Sequence, residues 1–78
     1  MNQNQILIQN KQINYTVACV SEFAQKHNLT LKEAFQFLFQ YKAIAFLKEN
    51  YDIEHTLSFD DVLDDMFAIC KMNGGMLA

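Results

Sequence analysis

Not one proline interrupts these 78 residues, and the only glycines are the adjacent pair Gly74-Gly75 near the C-terminus. A β-rich domain needs frequent turns, and proline and glycine are the residues that make them cheap. A chain without that punctuation is left with helices joined by short connectors. At this length there is room for one domain, which buries only about 60% of the surface its unfolded chain exposes. Seven phenylalanines and a hydrophobic fraction of 51% supply the material for a core. The expected fold is all-α, a compact bundle of three to four short helices spanning residues 10–75. Residues 1–9 would form a polar, flexible leader and residues 76–78 a tail.

The helices are legible from apolar spacing and caps. In residues 11–27, Ile13, Val17, Val20 and Ala24 recur three and four apart, with Asn10 as the expected cap. A second stripe of Tyr15, Cys19 and Phe23 lies beside the first and widens the apolar arc beyond what one neighbouring helix would cover. This helix is therefore expected to be central, or to face a partner as well as the core. Asn28 fits a left-handed stop, and Thr30-Leu31-Lys32-Glu33 matches a capping box that starts a second helix at Leu31. Its buried face is expected to carry Leu31, Ala34, Phe35, Leu38 and Phe39, leaving Phe37 and Tyr41 to be covered by another surface. A short third helix over residues 42–50 follows, either continuous with the second or separated by a kink near Tyr41. After a connector over residues 51–57, Ser58 caps a last helix with Asp60 and Asp61 in its first turn, where the helix dipole favours negative charge. Its apolar face is Phe59, Val62, Leu63, Met66, Ile69 and Cys70, and Asn73-Gly74-Gly75 ends it. The first and last helices are expected to pack on the aromatic-rich middle one.

Nine acidic side chains against six basic ones give a formal charge of −3, and there is no arginine. That balance opposes the counterion release that drives affinity for nucleic acid, so a protein partner is the expectation. A helix-turn-helix reading of residues 26–41, and with it a DNA-binding regulator, is the alternative, although the would-be recognition helix carries one lysine and no arginine. No stretch approaches the ~20 apolar residues of a membrane span. The leader's only apolar run, Ile6-Leu7-Ile8, is too short for a signal peptide, which leaves a cytoplasmic location as the expectation.

Candidate chemistry is sparse. Asp60-Asp61 and Asp64-Asp65 place carboxylates four apart on one helical face. They offer either an acidic patch for basic residues of a partner or, in a third reading, a metal-dependent enzyme built on Asp60, Asp61 and Asp64. His27 looks like a helix-terminal residue favoured by the dipole. His55 looks like a structural histidine that bonds a backbone carbonyl or an aspartate. Neither has a second histidine or a cysteine at metal spacing, and no glycine-rich phosphate loop exists. Cys19 and Cys70 are far apart in apolar surroundings and read as reduced core residues. The expectation is a non-enzyme with no cofactor. Five rings between Phe35 and Phe46 (Phe35, Phe37, Phe39, Tyr41, Phe46) are many for so small a monomer to bury, and a homodimer or hetero-complex would cover the remainder.

Ser21-Glu22-Phe23-Ala24, then Asn28-Leu29-Thr30 with Glu33-Ala34-Phe35, then Phe46-Leu47, Tyr51-Asp52, His55-Thr56 and Asp60-Asp61 resemble a family of short bacterial proteins catalogued as domain of unknown function 3791. The resemblance covers roughly residues 11–75 and is most specific over residues 51–58 and the Asp60-Asp61 pair that follows. It implies that Tyr51, Asp52, His55 and Thr56 form the characteristic element. It also implies a companion role beside a neighbouring ADP-ribosyltransferase-like protein, as of a small antitoxin with its toxin. On these grounds the expected partner-binding residues are Tyr51, Asp52, His55, Thr56, Asp61, Asp64 and Asp65, with Phe37 and Tyr41 as uncovered rings.

Overall fold

A computed structural model describes the backbone of residues 3–77 and the side chains of residues 10–77. Met1, Asn2 and Ala78 of the expected leader and tail lie outside the described residues. The chain forms five helices: α1 (Gln3–His27), α2 (Leu31–Gln40), α3 (Ala43–Glu49), α4 (Tyr51–Glu54) and α5 (Phe59–Met72). The all-α bundle stands as expected. Among the described residues there is no helix long and apolar enough to cross a membrane.

The caps account for most of the boundaries. Thr30 Oγ1 accepts from the Glu33 amide (3.1 Å), and Glu33 Oε1 accepts from the Thr30 amide (2.9 Å), closing the capping box of α2. These bonds to Thr30 hold the Glu33 carboxyl below the usual carboxylate range. Asn28 turns the chain after α1 with φ of 60°. Ser58 Oγ accepts from the Asp61 amide (3.2 Å) at the start of α5. At its end Gly74 takes φ of 88°, and the Gly75 amide returns to the Cys70 carbonyl (2.7 Å).

Two expectations are corrected, and one open choice is decided. Asn10 is not a cap, because α1 begins at Gln3 and Asn10 lies inside it. The Asn/Gln-rich stretch has neither proline nor glycine to stop a helix once it is propagating. Helices α2 and α3 are separate: Lys42 adopts a left-handed conformation (φ 76°) that breaks the ladder between them. The connector also holds the single turn of α4.

Packing is centred on α1, which contacts α2, α3 and α5, while α5 lies chiefly against α3 and α1 and not on the aromatic α2. Phe23, Leu38, Leu47, Met66, Val62, Cys19 and Cys70 are the largest fully buried side chains. The long axis of the molecule is 44 Å and the other two are 22 Å. At ~1.5 Å per residue the 25 residues of α1 span most of the long axis, and among the described side chains the first fully buried one on it is Cys19.

The buried face of α2 is rotated from the expected one. Ala34 and Leu38 are buried, whereas Leu31, Phe35 and Phe39 are 57%, 45% and 65% exposed. Phe37 and Tyr41, expected to lie uncovered, pack against the core: Phe37 stacks on Phe23 at 6.0 Å, and Tyr41 tilts onto Phe37 at 5.1 Å. Two apolar stripes compete on this helix, 31/35/39 and 34/38/41. The second wins because small Ala34 admits a close approach and Gly75 closes over Tyr41. A Cβ at Gly75 would sit 2.7 Å from the Tyr41 ring. In α5, Phe59 is likewise 42% exposed instead of joining the apolar face.

Candidate functional site

Two features meet at Tyr51, a half-buried ring on the first turn of α4. The first is a polar junction between α1, α4 and α5. Glu54, the last residue of α4, is 5% exposed and is the one buried charged side chain among the described residues. Its Oε2 has no hydrogen-bond partner there. Burial pushes the Glu54 carboxyl up to about 7, and the adjacent Asp65 carboxylate adds to the rise through a hydrogen bond and its charge. A protonated Glu54 satisfies this geometry, because one oxygen then becomes a donor toward Asp65. The Tyr15 hydroxyl donates to the Glu54 backbone carbonyl (2.9 Å), tying α1 to α4. Burial raises the Tyr15 phenol above its ordinary range. The Cys19 thiol, one turn further along α1, is also pushed up by burial, against the pull of the Tyr15 hydroxyl. Burial takes the Cys70 thiol up to about 11. Neither cysteine is therefore a ready thiolate near neutral pH.

The residues of the characteristic element mostly bond to their own turn. His55 Nδ1–H donates to the Tyr51 carbonyl (2.6 Å), and the imidazole stacks on the Tyr51 ring at 4.6 Å. Tyr51 meets the Tyr15 ring edge-on at 5.5 Å. Thr56 Oγ1 donates to the Ile53 carbonyl (2.7 Å). Asp52 is exposed. His55 thus bonds the backbone, one of the two roles expected of it.

The acidic run divides between solvent and the junction. Asp60 and Asp61 are exposed, Asp64 lies 3.6 Å from Lys26 Nζ, and Asp65 faces Glu54. Asp65 is therefore taken up by an internal contact instead of joining the outward patch. Among the described residues no three histidine, cysteine, aspartate or glutamate side chains gather as metal ligands. His27 is also reassigned. It is half-buried between Phe23 (4.3 Å) and Phe67 (5.4 Å), and burial followed by the Lys26 charge lowers its basicity, so it serves as a packed ring and not as a cationic cap.

The second feature is apolar. Ile13 and Val17, the outer stripe of α1, are 59% and 57% exposed, and they face Phe35 across an open groove of about 470 Å³. Ile44, Leu47 and Lys48 of α3 and Tyr51 of α4 line it as well. A smaller hollow bounded by Val17, Val20, Leu31 and Phe35 continues it along α2. Phe35 and Phe39 stack on each other at 5.9 Å and stand beside the groove as a ridge. No carboxylate lines either hollow.

Of the expected site residues, the structure brings together Tyr51, His55 and Thr56, and sets Asp65 on the junction. It leaves Asp61 and Asp64 outside on α5, and Phe37 and Tyr41 inside the bundle. Sequence reasoning missed Glu54, whose signal was its i, i+3 relation to Tyr51 on a turn that had to face the core. It allowed the α1 stripe of Ile13 and Val17 to face a partner but missed that Leu31, Phe35 and Phe39 join it, because it placed those three in the core.

The sequence model of a family described as "Protein of unknown function (DUF3791)" matches residues 14–73. No curated protein and no solved structure matches the chain. The matched span takes in the junction, all of α2 to α5 and the groove walls except Gln12 and Ile13, and the chain belongs to this family.

Proposed function

We propose that this member of the family is a non-catalytic module that works by binding another protein through the apolar face of α1 and α2. The observation that carries the reading is the groove flanked by Ile13, Val17, Leu31, Phe35 and Phe39. Leaving five large apolar side chains about half in water forfeits roughly 1 kcal/mol or more each relative to burial, a poor use of a core in so small a domain. Contiguous apolar surface of this kind marks interaction sites on soluble proteins.

In the finer reading the chain is an antitoxin-like partner that masks an ADP-ribosyltransferase-like protein. It rests on the family resemblance and on the acidic outer face of α5. Asp60, Asp61 and Asp64 are exposed there, and Lys26 offers Asp64 a solvent-screened contact. Such a face complements a basic nucleotide-binding cleft. Co-expression with the ADP-ribosyltransferase-like neighbour tests both levels. Binding through the apolar face predicts co-elution that Val17→Asp or Phe35→Ser abolishes. Masking of the cleft predicts that the joint Asp61→Asn and Asp64→Asn change weakens inhibition. If the two proteins elute separately at high concentration and the neighbour's activity is unchanged, the reading fails.

A further inference from the structure

We infer that the apolar face of α1 and α2 pairs with the same face of a second copy of this chain, forming a two-fold dimer and leaving the acidic face of α5 free. The inference rests on the reading of this face as an interface and makes a second copy its occupant in the free protein, one that the neighbour must displace to bind there. Three observations favour a second copy.

The first is shape. The face carries a groove, between Ile13, Val17 and Ile44, and beside it a ridge made by the stacked rings of Phe35 and Phe39. A surface with a ridge and a neighbouring groove complements itself on rotation by a half-turn, as an isologous contact requires.

Charge is the second. Near a two-fold axis each charge approaches its own copy, so a self-pairing face must be poor in charge. Lys48 is the one charged residue lining the groove, and the part of α1 before Glu22 carries a single charged side chain, Lys11. The acidic side chains Asp60, Asp61 and Asp64 lie on α5, away from this face. A partner that reads acid would bind there instead.

The third is area. Five half-exposed apolar side chains supply a few hundred Å² of surface, short of the roughly 800 Å² per partner of a stable interface. The half-buried walls of the groove, Thr16, Ile44 and Tyr51, and the α1 residues Asn10 to Asn14 next to Ile13 add to it in each copy.

Sedimentation equilibrium on the full-length protein tests the inference, with helicity followed by circular dichroism. The expected result is a dimer at tens of micromolar. Val17→Asp and Phe35→Ser should each weaken dimerisation by ~30-fold or more, the effect of losing a central contact, while helicity is kept. The Asp61→Asn, Asp64→Asn chain should remain dimeric. Because these side chains are exposed, the variants are expected to fold, and Phe39→Ser stands in for any that does not. A wild-type chain that stays monomeric to millimolar concentration overturns the inference, as does a dimer indifferent to all three apolar-face variants. If the chain is monomeric but Val17→Asp still breaks binding to the neighbour, only the identity of the occupant is wrong. If Val17→Asp affects neither, the interface itself is refuted.

Discussion

The apolar face of α1 and α2 and the junction under α4 break the same rule in opposite directions. On the first, Ile13, Val17 and Phe39 stand more than half in water; in the second, the Glu54 carboxyl is withdrawn from it. The consequences differ because the two costs differ in kind. An exposed ring forfeits burial without straining the fold, so the groove face is free to serve a partner. A buried carboxyl must hold a proton or find a donor, so the junction is bound into stability and pH. Tyr51 lines the groove and packs on Tyr15 and His55, so the two regions share a wall.

The sharpest way to break this contrast is to truncate one phenylalanine in the core, on α1, and one on the apolar face, on α2. Phe23→Ala removes a ring that is fully buried against His27 and Phe37 and should cost about 3–5 kcal/mol. Phe39→Ser removes a ring that is 65% exposed and should cost about 0.5 kcal/mol. Urea unfolding of both variants at low protein concentration gives the comparison. Equal losses would mean that core and face are not distinct.

The junction makes the next largest prediction. Glu54 has a folded value of about 7, above the ordinary 4.5, so between those values the native state binds more protons than the unfolded one. The stabilisation is therefore full below pH 4.5 and is lost as pH rises through about 7. At ~1.4 kcal/mol per unit, stability should fall by about 3 kcal/mol between roughly pH 5 and pH 8.5. Glu54→Gln, neutral throughout, should flatten that dependence and be the more stable form at the alkaline end. A parallel decline in both proteins would dissociate the effect from Glu54.

Smaller effects belong to the surface. Thr30→Ala loses the α2 capping box and should cost about 1 kcal/mol, read as a lower melting temperature. Because α2 carries the Phe35–Phe39 ridge, it should also loosen that face. Asp64→Asn breaks only the 3.6 Å contact with Lys26, whose partners are 46% and 74% exposed. Its effect on stability should stay within about 0.5 kcal/mol.

Much of the fold was legible because its signals are local. The Thr30–Glu33 box, the Asn28 turn, the Ser58 cap and the Gly74-Gly75 stop depend on neighbours within four residues, and each does what its chemistry predicts. What could not be read from the chain was the choice between equivalent stripes. On α2 both 31/35/39 and 34/38/41 satisfy helical spacing, and only contact with Phe23 and Gly75, distant in sequence, selects the second. The same limit hid the sites. Asp65 and Asp64 are adjacent aspartates with the same local pattern, yet one meets Glu54 across the junction and the other meets Lys26 at the surface. The Tyr51–Thr56 element was found by resemblance, and its contacts prove to be largely within its own turn.

Whether the groove face is covered by protein in solution is tested most directly by amide hydrogen exchange. The measurement compares dilute chain, concentrated chain, and chain mixed with an ADP-ribosyltransferase-like protein of the kind proposed as its partner. An interface there predicts slowed exchange along residues 10–20 and 31–40 in the concentrated or mixed sample. For self-pairing, the outer face of α5 should be unchanged by concentration. Identical exchange in α1 and α2 across all three samples would contradict it.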